Sequence, residues 1–191
     1  AFGGALDNTF ASGGFFNGDQ HLNFSASKEC IIKSAMVYSE ANNTITFELR
    51  NSGGTVIDDT TLTISSGQQT IDLNFNVPVS NDMQLGVSQG ALQTSGLYRN
   101  NSNANYPYNI ATAIDITSSS ANTDPYSYYY FFYDIEVEIL CDDISSGLNI
   151  LNSNKKLIKY VDVLGRTNNL SNNLLFYIYD DGTVEKKIII E

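Results

Sequence analysis

The side chains able to do chemistry are few and scattered. Three carboxylates, Asp134, Glu136 and Glu138, recur at every second residue. On a strand they share one face, with neighbours roughly 6.5–7 Å apart. That spacing suits a pair working on a glycosidic bond, and it equally suits the solvated outer face of a sheet. Asp58 and Asp59 are adjacent, so on a strand their side chains diverge and cannot act as a pair. His21 is the single histidine, and no serine or cysteine stands near it in a nucleophile motif. No catalytic residue is assigned, and the reading is non-enzymatic.

Two other groupings point to binding. The turns Asn81-Asp82 and Asn122-Thr123-Asp124 offer oxygen ligands to a hard cation such as calcium, without an EF-hand or repeat pattern. No cofactor is assigned beyond that open option. The segment from Tyr98 to Tyr108 combines Arg99, Asn100, Asn101, Asn103 and Asn105 with Tyr98, Tyr106 and Tyr108. Aromatic faces against sugar rings, with amides and a guanidinium toward hydroxyls, make this a candidate glycan loop. The alternative is a long loop held down by its own tyrosines, whose rings bury while their hydroxyls stay hydrogen-bonded. Cys30 and Cys141 stand at the ends of distant strand patterns and suggest a disulfide, the alternative being two separate buried thiols. A loop of that length closed by a disulfide gains about 4–5 kcal/mol on the chain-entropy account.

The elements that position these residues read as β-strands. Ile45, Phe47 and Leu49 alternate with Thr44, Thr46, Glu48 and Arg50. Ile71, Leu73, Phe75 and Val77 alternate with polar residues in the same way, as do Met83, Leu85 and Val87. Turn signals at Asn42-Asn43, Gly53-Gly54, Ser66-Gly67 and Asn81-Asp82 separate them. Asn, Ser and Thr number 22, 20 and 14, a composition that serves turns and sheet surfaces better than helices. From Tyr126 to Cys141 one long strand is expected, with Tyr129, Phe131, Tyr133, Ile135, Val137 and Ile139 inward and Tyr128, Tyr130, Phe132, Asp134, Glu136 and Glu138 outward. It is central, or bent at a bulge. The fold class is all-β, with an antiparallel jelly-roll-like β-sandwich.

Charge divides the chain. The formal net charge is -11, yet residues 155–191 carry six bases and five acids, a net of +1, leaving -12 for the rest. An acidic chain is a poor partner for nucleic acid, which selects a surplus of Lys and Arg. No apolar run approaches the roughly 18–20 residues of a membrane-spanning helix. Residues 1–19 read as a Gly-rich lead-in, 20–143 as the sandwich, 144–154 as a polar linker, and 155–191 as a separate β-meander. The opening Ala1-Phe2-Gly3-Gly4 carries no signal peptide, so a processed product or a piece of a longer chain is expected.

The tail contains Val161-Asp162-Val163-Leu164-Gly165-Arg166. Near its end stand Asp181-Gly182-Thr183-Val184-Glu185-Lys186-Lys187 and then Ile188-Ile189-Ile190. Asp181-Gly182 is a two-residue hairpin signal. In order, spacing and position this tail resembles the C-terminal sorting domain of proteins exported by the type IX secretion system of Bacteroidota. The resemblance covers residues 155–191. It implies a cargo protein whose tail engages the translocon and then an outer-membrane shuttle barrel. In many members the tail is afterwards removed, and the passenger is anchored at the surface or released. No Asn-Pro opening strand precedes Lys155, and the usual Gly-x-Tyr strand is replaced by Phe176-Tyr177-Ile178-Tyr179. Cleavage is expected within 143–155.

The segments Leu97–Ser102, Tyr106-Pro107-Tyr108 and Tyr128–Tyr133 also resemble a β-sandwich module found ahead of such tails. Together these readings imply a cell-surface or secreted protein, on the extracellular face of the outer membrane, with an adhesive or carbohydrate-binding passenger and surface glycan as its partner. The rival reading is the C-terminal portion of a larger secreted hydrolase whose catalytic domain lies upstream.

Overall fold

A computed structural model describes residues 1–139, 155–162, 164–167 and 174–188. The chain divides into two compact units, Ala1–Leu140 and Cys141–Glu191. The first is built from two large antiparallel sheets and the second from a small three-stranded one, with no closure into a barrel. The expected linker 144–154 lies outside the described residues.

The seven-stranded sheet runs β1 (Phe2–Gly3), β13 (Tyr133–Ile139), β4 (Cys30–Ser39), β9 (Leu97–Asn100) and β12 (Tyr129–Tyr130), with β2 (Gly13–Phe16) on β9 and β7 (Gly67–Val77) on β4. The six-stranded sheet runs β10 (Tyr108–Ile110), β11 (Ile114–Ser119), β3 (His21–Ala26), β8 (Ser80–Val87), β5 (Asn43–Arg50) and β6 (Val56–Ile64). Both contribute to one core. Ile32, Val37, Phe75 and Val137 come from one sheet, and Leu22, Phe24, Ile45, Phe47, Leu49 and Leu85 from the other. Each such side chain contributes roughly 1.5–3 kcal/mol relative to exposure. The two-residue alternation therefore sorts faces as expected along β5, β7 and β8: Ile45, Phe47 and Leu49 are buried, while Thr44 and Thr46 pair outside with Thr63 and Thr61.

Two expectations change. The first residues are strands of the sheet, not a loose lead-in. β1 pairs with β13 and β2 with β9, and the Val137 amide donates to the Ala1 carbonyl at 2.7 Å. The glycines permit this approach. A Cβ on Gly4, whose φ is +81°, would stand 2.6 Å from the Tyr129 hydroxyl, and one on Gly13 would stand 2.2 Å from the Arg99 carbonyl oxygen.

The long strand expected over Tyr126–Cys141 is broken. β12 pairs with β9 and β13 with β4, and between them Phe131 takes a φ of +67°. Asp134 (φ +42°) and two register shifts bend β13 further. The reason is apolar demand on both sides: Tyr129, Tyr130, Phe131, Phe132 and Tyr133 are all buried, which a straight strand cannot achieve when one of its faces is wet.

In the second unit β14 (Leu157–Asp162), β15 (Leu174–Tyr179) and β16 (Val184–Ile188) form an antiparallel meander in that order. The β15–β16 connection has four residues, Asp180-Asp181-Gly182-Thr183, rather than two. The Gly182 amide donates to the Tyr179 carbonyl and the Tyr179 amide to the Thr183 carbonyl, with Gly182 at φ +82°. This is a type I turn closed by a left-handed glycine, a hairpin form that only residues tolerant of positive φ complete without strain.

Candidate functional site

The candidate glycan loop is taken apart by the pleat of β9. Tyr98 and Asn100 face one side, Leu97 and Arg99 the other. Asn100 is fully buried. Its Nδ2 donates to the carbonyls of Asn8 (3.0 Å) and Ala11 (2.7 Å), and its Oδ1 accepts from the Tyr133 hydroxyl at 2.9 Å. It is a structural amide that ties the opening segment to the sheet. Asn101 is exposed, and its amide donates to the Ser12 carbonyl.

Tyr106 and Tyr108 turn inward. The Tyr106 ring stacks on Tyr129 with centroids 6.0 Å apart, and its hydroxyl donates to the Tyr128 carbonyl at 2.8 Å. Tyr108 packs edge-on against both Tyr106 and Tyr129, at 5.3 Å each, while its hydroxyl accepts from the Asn105 amide. Burial pushes the Tyr106 and Tyr133 hydroxyls far above the ordinary phenol range. Both therefore act as neutral donors.

The remaining aromatic contacts lie on the two sides of β9. On Tyr98's side an aromatic strip runs across three strands: Phe15, about half exposed, meets Tyr98 edge-on at 5.6 Å, and Tyr98 meets Tyr38 at 6.3 Å. On the other side the Arg99 guanidinium lies 4.4 Å from the Phe16 ring centroid, 4.9 Å from Tyr128 and 5.8 Å from Tyr130. Arg99 has no carboxylate or other hydrogen-bond partner among the described residues. Of these residues the sequence pattern marked Tyr98 and Arg99 in the candidate loop and Tyr128 and Tyr130 on the face expected outward. Phe15, Phe16 and Tyr38 are distant in sequence; the available signals were the pair Phe15-Phe16 after Gly14 and the place of Tyr38 in the strand pattern from Cys30.

The acidic stripe is also dispersed. Glu136 accepts from the Ser34 hydroxyl at 3.0 Å, and Glu138 lies 3.9 Å from Lys33. The Asp134 amide, at the bend, donates to the Ala5 carbonyl. Asp58 accepts from the Asn76 amide at 3.2 Å. No group of three His, Cys, Asp or Glu side chains placed to hold a metal occurs among the described residues. Asn81-Asp82, expected as a turn, lies inside β8 with Asp82 at φ +55°, and Asn122-Thr123-Asp124 lies in the bend after β11.

His21 is half-buried. Desolvation first, and the nearby Arg50 cation second, lower its pKa to about 4, so the ring is neutral at physiological pH. Cys30 is buried, and burial raises its thiol pKa. Its expected disulfide partner, Cys141, lies outside the described residues.

In the second unit the motif residues form turns and one ordered face. The Asp162 carboxylate accepts from the amides of Leu164 (2.8 Å) and Arg166 (2.9 Å) and pairs with Arg166 Nε at 2.8 Å. Gly165 has φ +80° and donates to the Asp162 carbonyl. Val163 lies outside the described residues. At the other turn Asp181 accepts from the amide and hydroxyl of Thr183, at 2.9 and 2.6 Å. The backbone of Arg166 lowers the Asp162 pKa, and the Thr183 hydroxyl lowers that of Asp181.

On one face of this sheet Glu185 accepts from the Tyr179 hydroxyl at 2.8 Å and pairs with Lys155 and with Lys187. Lys155 sits 4.0 Å over the Tyr179 ring and Lys187 4.7 Å over Tyr177. The Lys155 contact is the first of the causes lowering the Glu185 pKa. Val161, Phe176, Ile178, Val184 and Lys186 share the opposite face through their cross-strand pairing, and Val184 is exposed.

Comparison with family models, with curated proteins and with solved structures finds no match for this chain.

Proposed function

We propose that the chain is a non-enzymatic cargo protein of the cell surface or the extracellular medium, exported through the type IX secretion system by residues 155–191. Its passenger is a jelly-roll-like β-sandwich that binds carbohydrate or mediates adhesion. The observation that carries the export reading is the shared form of the two motif turns. In each, a glycine near φ +80° donates to the carbonyl three residues earlier, and an aspartate accepts from the main-chain amide two residues after it. The motif residues thus build the turns at two ends of one small sheet in a unit distinct from the passenger. The cation-over-tyrosine face and the apolar Phe176–Ile178 face supply its two chemically different surfaces.

Carbohydrate binding is supported by the accessible rings beside β9, since flat apolar faces suit the axial C–H surfaces of sugars. The export reading is tested by deleting 155–191 from the full precursor in its host. Surface display should fall to background, with the passenger retained inside the cell. Undiminished display would overturn it.

A further inference from the structure

Among the described residues, three buried side-chain polar atoms have no hydrogen-bond partner: Ser95 Oγ, Arg99 Nε and Arg99 Nη1. All three fall between residues 95 and 99, at the start of β9. A guanidinium stays ionised at any pH a protein survives, and leaving its donors unmet is costly. Contacts with Phe16, Tyr128 and Tyr130 offset part of that cost. They do not supply an acceptor.

The site has room for one. Gly14 is directly opposite Arg99 in the β2–β9 register, so the two share a side of the sheet, and a Cβ on Gly14 would meet nothing within 4 Å. Gly13, one residue away, is crowded on the other side by the Arg99 carbonyl and the Tyr98 ring. The open space over Gly14 therefore lies on the guanidinium's side of the sheet. Either planar fork of an arginine uses Nη2 together with Nε or Nη1, and Nη2 is the nitrogen left outside the buried, partnerless pair.

We propose that Arg99 and the open space over Gly14 form a binding site for a carboxylate-bearing sugar, a hexuronic acid unit of a glycan. This rests on the carbohydrate-binding reading and narrows it from sugars in general to acidic ones. The carboxylate accepts from Arg99 Nη2, and the sugar ring lies in the space beside Gly14, against Phe16 and Tyr128. A peptide fits less well. β9 is already paired on both sides at Arg99 and Asn100, by β2 and by β12, so no backbone donors or acceptors remain for an added strand. What β9 offers is ring faces and one cation. The surrounding unit is strongly acidic, which favours a single seated carboxylate over a densely charged polyanion.

The test is calorimetric titration of the full chain with a galactotetraose bearing one terminal galacturonate and with neutral galactotetraose. The uronate should bind at least tenfold tighter, a preference that shrinks as salt rises. Arg99→Gln should abolish the preference, lowering uronate affinity at least tenfold relative to the neutral sugar. Gly14→Val fills the space at a position where an added Cβ meets nothing, so the variant should keep its melting temperature and lose uronate binding. Equal affinity for both sugars would overturn the acidic-sugar assignment and leave the carbohydrate reading standing. Binding of neither would overturn both. Uronate binding that survives in both variants would place the site elsewhere and refute the role of Arg99.

Discussion

Replacing Asn100 with alanine should release the opening segment from the sheet. The side chain makes three hydrogen bonds, to the Asn8 and Ala11 carbonyls and from the Tyr133 hydroxyl. Tyr133 is fully buried, so its hydroxyl loses its partner without gaining water, a cost of about 1–3 kcal/mol. Its remaining neighbour, the Tyr98 carbonyl at 3.5 Å, is too distant to replace the bond. The Asn8 and Ala11 carbonyls are half-buried and regain water, for about 0.5 kcal/mol each. The total is about 2–4 kcal/mol. Tyr133→Phe, which removes one of the three bonds, should cost about 1–2 kcal/mol. Urea unfolding followed by NMR signals of the first unit measures both. Native-state hydrogen exchange should show lost protection at the Asn101 amide, which donates to the Ser12 carbonyl, and at the Ala5 amide, which donates to the Tyr129 hydroxyl. A loss below about 0.5 kcal/mol, with protection at both amides unchanged, would refute the view that this amide clasps the N-terminal segment to the sandwich.

Two further outcomes follow from particular residues. His21 has a folded-state pKa of about 4 against 6.5 for the free side chain, so between those values the unfolded chain binds the extra proton. Stability should be full above pH 6.5 and fall toward pH 4, by on the order of 1–2 kcal/mol once the water still reaching this half-buried ring is allowed for. His21→Gln should flatten that part of the profile, and thermal melts from pH 7 to 4 check it. Gly13→Ala and Gly14→Ala make a matched pair. The first places a Cβ 2.2 Å from the Arg99 carbonyl oxygen and the second meets nothing. The expected losses are about 2–3 kcal/mol and under about 0.5 kcal/mol, and equal melting temperatures would contradict the β2–β9 register.

Much of the strand pattern was legible because burial on one face imposes a two-residue period. Ile45-Phe47-Leu49 and Ile71-Leu73-Phe75-Val77 follow it without exception. The rule failed where both faces are apolar: five consecutive aromatic residues, Tyr129 to Tyr133, allow a straight strand and a broken one alike, and packing chose the break. It failed also at Gly3-Gly4 and Gly13-Gly14, where absent side chains signify flexibility or close approach. Only the neighbours, Tyr129 and the Arg99 carbonyl, distinguish the two.

The candidate site was legible as a composition and not as a surface. Tyr98, Arg99, Asn100, Tyr106 and Tyr108 are close in sequence. Even so, the pleat sends Tyr98 and Arg99 to opposite sides, buries Asn100, and folds Tyr106 and Tyr108 onto Tyr129. The partners that matter to Arg99, namely Phe16, Tyr128 and the space over Gly14, come from β2 and from the segment before β12, remote in the chain.

By itself the sequence determined the all-β class, the division between an acidic body and a near-neutral tail, and a turn at Gly182. These are local or compositional quantities: period, charge and tolerance of positive φ. Tertiary structure decided which polar groups are satisfied. Among the described residues Asn100 finds three hydrogen-bond partners while Arg99 Nε and Nη1 find none, although they are neighbours on one strand, because hydrogen-bond satisfaction depends on what other strands bring alongside.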